Sequence, residues 1–111
     1  MPGAREDYLL RLLAQIAAVL RRVRERLVEG APAAELLTAL RDAEGELLGG
    51  RASLLKALDA RTAAQLLADP ERVHTWIALL RLEAEVHRRE GDEPAAAKAE
   101  ARAAELEAQV K

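Results

Sequence analysis

The feature that most constrains the fold is a regular apolar stripe in the segment from Asp7 to Glu29. Its six large aliphatic residues are spaced 4, 3, 4, 3 and 4 positions apart: Leu9, Leu13, Ile16, Leu20, Val23 and Leu27. On an α-helix this spacing forms one continuous stripe, which packs at a shallow angle against another long helix. Leu12 and Val19 lie beside the stripe and widen it, as a helix of a globular core requires. The segment therefore predicts a long core helix.

The composition indicates one globular domain with an aliphatic core. The chain has 111 residues, of which 50% are hydrophobic and 32% are charged, as is typical of a folded domain rather than a disordered chain. Aromatic residues make up only 2%, essentially Tyr8 and Trp76. The core must therefore consist of leucine, alanine, valine and isoleucine.

Charge and cysteine content exclude several classes of function. The formal net charge is -2, which gives no general attraction to nucleic acid or to an anionic membrane. There is no cysteine, so disulfides and thiolate chemistry are excluded. We find no apolar run of membrane-spanning length and no signal-peptide segment. We therefore expect no membrane association and a cytoplasmic location.

Turn signals predict a first helical hairpin over residues 7–48. Residues 1–6 are expected to form a short, partly frayed lead-in, and the first helix should run from about Asp7 to Val28. Gly30 can adopt the left-handed conformation that ends a helix. A second helix should then begin near Pro32 and continue to Leu48. The short turn between these helices makes them antiparallel neighbours.

Residues 49–68 are expected to link this hairpin to a second one. Gly49-Gly50-Arg51-Ala52 is the clearest break in the chain. One or two short helices should follow between Ser53 and Ala68. Ser53 and Thr62 are candidate N-cap residues, because a side-chain oxygen can accept a backbone N–H that has no partner within the helix.

A second hairpin is predicted over residues 69–110. Asp69-Pro70-Glu71 combines a capping aspartate with a first-turn proline and an acid, and it should begin a helix that continues to about Glu90. This helix is apolar on two sides and should therefore lie centrally. Gly91-Asp92 should end it and begin an alanine-rich helix over about 93–109, at the edge of the domain. The fold class is thus all-α, with two antiparallel hairpins, five or six helices and one domain over 1–111.

The end of the chain resembles part of a tetratricopeptide repeat. The segment REGDEPAAAKAEARAAEL (Arg89–Leu106) places Gly91-Asp92 at the turn between the two helices of the repeat. Ala84, Ala96 and Ala103 match its small packing positions, and Leu106 matches a closing hydrophobic position. The resemblance implies a helical hairpin of a kind that mediates protein–protein interaction.

The whole chain also resembles an uncharacterised family of small bacterial helical proteins. The resemblance is carried by three motifs: Asp7-Tyr8-Leu9-Leu10, the leucine pairs of Leu54–Leu67, and Asp69-Pro70-Glu71-Arg72. It implies the helical fold and implies no activity.

The densest group of cations lies near the end of the first helix and consists of Arg21, Arg22, Arg24 and Arg26, with Glu25 between them. Arginine can contact phosphate or bind a carboxylate through two hydrogen bonds. A solvated helix face is the favoured interpretation, because Val23 and Leu27 take the buried side and Glu25 can pair with Arg21. Contact with nucleic acid or an anionic ligand is the alternative.

No catalytic, cofactor or metal site is predicted. Glu83, His87 and Glu90 could approach one another on a helix, but a single Glu-x-x-x-His is a weak metal signal. Ser53 is the sole serine, and no nucleophile elbow, P-loop or dinucleotide motif is present. We therefore expect a protein that is not an enzyme and has no evident small-molecule substrate.

The expected function is a non-catalytic protein–protein interaction module that can also self-associate. Tyr8 and Trp76 are candidate anchors for a partner, since aromatic side chains often dominate the energy of an interface. Trp76 is more simply interpreted as the largest residue of the core.

Overall fold

The protein is all-helical over residues 3–111, the part of the chain that the computed structural model describes. It consists of six α-helices and one short 3-10 turn at Gly49–Arg51. The α-helices are α1 (Gly3–Val28), α2 (Ala33–Leu48), α3 (Ala52–Ala57), α4 (Ala60–Leu67), α5 (Pro70–Arg89) and α6 (Glu93–Glu107). The predicted all-α class is confirmed. No helix in this range has the length and apolar character needed to cross a bilayer.

The first hairpin is formed by α1 and α2, which pack against each other. Its turn contains Gly30 with a φ of 83°, the left-handed conformation that a glycine adopts without strain. The predicted end of α1 and the course of α2 across Gly45 are confirmed. The lead-in predicted for residues 1–6 is helical from Gly3 onward, since α1 already begins there; residues 1 and 2 lie outside the described part.

The linking segment follows its prediction in one respect and differs in another. The predicted break is confirmed, because α2 ends at Leu48 and Gly49 and Gly50 belong to the 3-10 turn that precedes α3. Ser53 and Thr62 are not N-caps, since Ser53 lies inside α3 and Asp59 caps α4. Asp59 accepts hydrogen bonds from the Thr62 backbone N–H at 3.1 Å and from its hydroxyl at 2.7 Å. Chiefly through the Thr62 hydroxyl, these bonds hold the pKa of Asp59 below its ordinary value.

The second hairpin consists of α5 and α6, and each of these helices begins at a capping aspartate that the sequence predicts. The Asp69 carboxylate accepts a hydrogen bond from the Glu71 backbone N–H at 2.8 Å, and Asp92 accepts one from Ala95 N–H at 3.1 Å. Gly91 between the helices has a φ of 78°. Both hairpins therefore turn through a left-handed glycine.

Helix α5 is the centre of the domain, as its two apolar sides predict. It packs against α1, α2, α4 and α6, and its Trp76 is the largest fully buried side chain, with 1% of its surface exposed. The prediction that Trp76 fills the core is confirmed. Small side chains allow α5 and α6 to approach closely at a buried cluster of Ala84, Ala96 and Ala99.

Two arginines of α5 form hydrogen bonds that attach this helix to neighbouring parts of the fold. Arg81 donates to both oxygens of Glu107 in α6, at 3.1 and 3.0 Å. This paired hydrogen bond lowers the pKa of Glu107 and raises the pKa of Arg81. At the C-terminal end of α5, Arg89 donates to the carbonyl oxygen of Ala31 at 2.6 Å. The turn of the first hairpin is thereby attached to the end of α5.

Candidate binding groove

An open groove of about 940 Å³ lies between α2, α3, α5 and α6. We call it the groove. Its charged lining comprises four cations, three acids and one histidine: Arg41, Lys56, Lys98, Arg102, Glu44, Glu83, Glu105 and His87. Grooves of this size that combine apolar walls with a few converging polar groups are the usual location of binding sites. The groove is therefore the candidate functional site.

The floor of the groove holds a buried carboxylate. Glu44 of α2 is 7% exposed and is the buried charged residue of the described chain. Its Oε2 accepts a hydrogen bond from the Trp76 indole Nε1–H at 2.8 Å. A buried carboxylate and a buried indole N–H each cost free energy without a partner. Their pairing satisfies both and joins α2 to α5.

Two cations flank this pair. Lys56 Nζ of α3 lies 3.2 Å from the other carboxylate oxygen of Glu44. Arg102 of α6 places its guanidinium 5.3 Å from the centre of the Trp76 ring, within the range of a cation–π interaction. Arg102 also donates to the Leu55 carbonyl oxygen at 2.9 Å. Trp76 thus contacts an anion at its edge and a cation at its face.

The groove has more cations than its own acids neutralise. Glu44 pairs with Lys56, and Glu83 lies beside His87. Within residues 3–111, no carboxylate lies within ion-pair distance of Arg41, Lys98 or Arg102. By the same criterion, Glu105 has no cation beside it. Counted with neutral histidine, the four cations and three acids leave the groove lining positive by one.

The conceivable metal ligands of α5 do not converge. His87 Nε2 lies 3.6 Å from a Glu83 oxygen, but Glu90 turns to Arg89, with 3.1 Å between Arg89 Nε and Glu90 Oε2. In the described range, no three histidine or acidic side chains form a group able to hold a metal ion. Ser53 lies on the α3 wall of the groove, and no side-chain hydrogen bond joins it to His87.

The predicted arginine group lies outside the groove. Arg21, Arg22 and Arg24 are exposed on α1. Arg26 reaches across the hairpin instead, and its Nη2 lies 2.7 Å from Glu35 Oε1 of α2. No ion pair between Glu25 and Arg21 is present among the described residues.

The two aromatic candidates occupy different environments. Tyr8 is 57% exposed near the start of α1 and borders a shallow depression with Arg11 and Glu46. Trp76 lies beneath the groove, where it borders the cavity from the core side.

Glu44 is the residue of the site that the sequence interpretation missed. A signal was available, because Leu40, Ala43 and Leu47 place Glu44 on the same side of α2 as the buried stripe. A buried indole N–H also requires an acceptor. These observations indicate a buried acid and a buried indole that each need a partner, but the pairing of the two is visible only in the structure.

Comparison of the chain with models of protein families, with curated proteins and with solved structures finds no match.

Proposed function

We propose that the protein is a non-catalytic interaction module whose groove receives an acidic segment of a partner protein. The observation that carries the proposal is the excess of cations in the groove. No carboxylate of the described chain lies within ion-pair distance of Arg41, Lys98 or Arg102, whereas the buried Glu44 is already paired. Carboxylates of a partner would supply the missing pairs.

The shape of the groove supports a peptide segment as its occupant. The α6 wall includes Ala95, Ala99 and Ala101, whose small side chains leave room for the side chains of a second chain. Lys98 and Arg102 lie four positions apart on α6, so they are neighbours along one side of the helix. A segment lying along α6 can therefore meet both cations in succession.

The resemblance of α5 and α6 to a tetratricopeptide hairpin agrees with this role and remains an expectation. We propose no catalytic step, because the acids nearest the floor are engaged in contacts with Trp76, Lys56 and His87. We also propose that the protein acts in the cytoplasm. Fractionation of the producing cells tests this location.

Site-specific photo-crosslinking in the producing cells tests the proposal. A photoreactive residue in place of Ala101, which is exposed and lines the groove, should capture a protein with an acidic segment. The same residue in place of Ala104, which is exposed on α6 and outside the groove lining, provides the matched control. Mass spectrometry of the crosslinked peptide identifies the segment.

Charge reversal completes this test. Lys98→Glu should strongly reduce capture from position 101, whereas Arg22→Glu, the reversal of an exposed cation far from the groove, should leave it unchanged. Capture of equal strength at both alanines, or capture that survives Lys98→Glu, would contradict a groove that recognises acidic segments.

A second candidate function uses the arginines of α1. Arg21, Arg22 and Arg24 are exposed and form no ion pair within residues 3–111, so they are available to the phosphates of a nucleic acid or to another anionic ligand. Titration with labelled DNA and RNA at two salt concentrations tests this alternative. Binding that weakens steeply with salt would favour it, and absent or salt-independent binding would remove it.

A further inference from the structure

Helix α1 carries a second stripe, one residue beyond the stripe that it buries. The positions are Asp7, Leu10, Ala14, Ala17, Arg21, Arg24 and Val28, spaced 3, 4, 3, 4, 3 and 4 apart. A repeat of this kind keeps one line of a helix in contact with a second helix along its length. Within the domain, this line has no partner, because all seven residues are exposed.

The exposed stripe includes two large apolar residues near its ends. Leu10 is 64% exposed and Val28 is 89% exposed. Between them lie Ala14 and Ala17, which allow the axis of a second helix to approach closely.

The charges of the stripe are ordered along the helix. Asp7 lies at one end, and Arg21 and Arg24 lie toward the other. When two such stripes pack antiparallel, Ala14 of one copy faces Ala17 of the other. Asp7 of each copy then faces Arg24 of the second copy, and Leu10 lies against the aliphatic stem of Arg21. Both ends of this contact are complementary in charge.

Arg24 is available for this pairing. It borders a shallow depression with Glu85 and Glu107, but Glu107 is held by Arg81. No ion pair of Arg24 is present within residues 3–111.

We propose that the protein forms an antiparallel homodimer through this α1 stripe, with Asp7 of each copy paired to Arg24 of the other. The proposal deepens the interaction role by naming a second copy of this chain as a partner. It uses none of the groove residues, so dimer formation and groove binding can fail independently.

Charge exchange between two variants tests the dimer. Sedimentation equilibrium at low salt measures the dissociation constant of the unmodified protein, of Asp7→Arg and of Arg24→Asp. Each substitution replaces two attractive contacts with two repulsive ones, and we expect each to raise the dissociation constant by about tenfold or more. An equimolar mixture of the two variants restores opposite charges at both ends and should dimerise as tightly as the unmodified protein.

Controls make the outcome specific. Arg22→Asp changes the charge by the same amount outside the stripe and should leave the dissociation constant within about twofold of the unmodified value. Lys98→Glu in the groove should also leave it unchanged, so a failed groove does not imitate a failed dimer. Circular dichroism confirms that each variant is folded. A monomeric unmodified protein, or a mixture of variants no tighter than either variant alone, would overturn the proposal.

Discussion

Replacing Glu44 with leucine tests the buried pair at the floor of the groove. Leucine has a similar volume, but it removes the acceptor of the Trp76 indole N–H, which lies 2.8 Å from Glu44 Oε2. Because Trp76 is only 1% exposed, its indole N–H cannot donate to water instead unless the side chain moves. Glu44→Leu therefore leaves a buried donor without a partner.

The expected cost follows from these contacts. A buried donor left unpaired costs about 1–3 kcal/mol, and the added apolar burial of leucine offsets about 1 kcal/mol of it. Leucine also removes the ion pair with Lys56, which contributes about 0–1 kcal/mol. We therefore expect Glu44→Leu to lower the free energy of unfolding by about 1.5 kcal/mol, the middle of a range of about 0–3 kcal/mol. Glu44→Gln retains an acceptor oxygen and loses only the ion pair with Lys56, whose side chain is 54% exposed. An exposed pair contributes about 0–1 kcal/mol, so glutamine should cost less than leucine.

Urea denaturation followed by far-UV circular dichroism measures both variants. A double-mutant cycle with Trp76→Phe isolates the pair, because Glu44→Leu should cost much less once the indole N–H is absent. We expect a coupling energy of about 1–2 kcal/mol, within the range of contacting residues. The assigned hydrogen bond would be refuted if Glu44→Leu were as stable as Glu44→Gln, or if the coupling energy were below about 0.3 kcal/mol.

Three further predictions concern the core, a helix cap and an ion pair. Trp76→Ala should lower the free energy of unfolding by about 3–5 kcal/mol, and a loss below about 1 kcal/mol in urea denaturation would contradict its place in the core. Asp92→Ala should cost about 1 kcal/mol in thermal unfolding through loss of the bond from Ala95 N–H, whereas Asp92→Asn should retain most of it; equal losses would speak against this cap. Arg81 lowers the pKa of Glu107 from its ordinary 4.5, so this pair stabilises the fold above about pH 4.5 and the contribution is lost as pH falls through the lower folded-state pKa. Glu107→Gln should therefore reduce thermal stability at neutral pH and reduce its dependence on pH in the acid range; an unchanged pH profile would contradict the assignment.

Short sequence motifs predict a helix end correctly where their residues strongly favour one capping conformation. Asp69-Pro70 and Gly91-Asp92 each specify a cap within a few residues, and both occur as predicted. Helix α1 begins earlier than predicted, because residues 3–6 carry no apolar periodicity although α1 includes them. Asp59 was missed as a cap because Thr62, inside the helix, is also a good capping residue type.

The groove could not be predicted from local patterns, since its parts are distant in the sequence. Glu44 and Trp76 are 32 positions apart, and Arg102 reaches Leu55 across 47 positions. Periodicity shows which side of a helix is buried. It does not show which residue of another helix lies opposite, and this pairing decides whether a buried acid is satisfied.

The most direct test of the groove is a nuclear magnetic resonance titration of the isotope-labelled protein with a glutamate-rich peptide. Trp76 is the only tryptophan, so its indole N–H gives one resonance from the groove floor. We predict a saturable shift of this resonance and of the Lys98 amide, absent with a glutamine-rich peptide of equal length and lost in Lys98→Glu. An unchanged indole resonance, or shifts confined to the arginines of α1, would contradict the groove as the binding site.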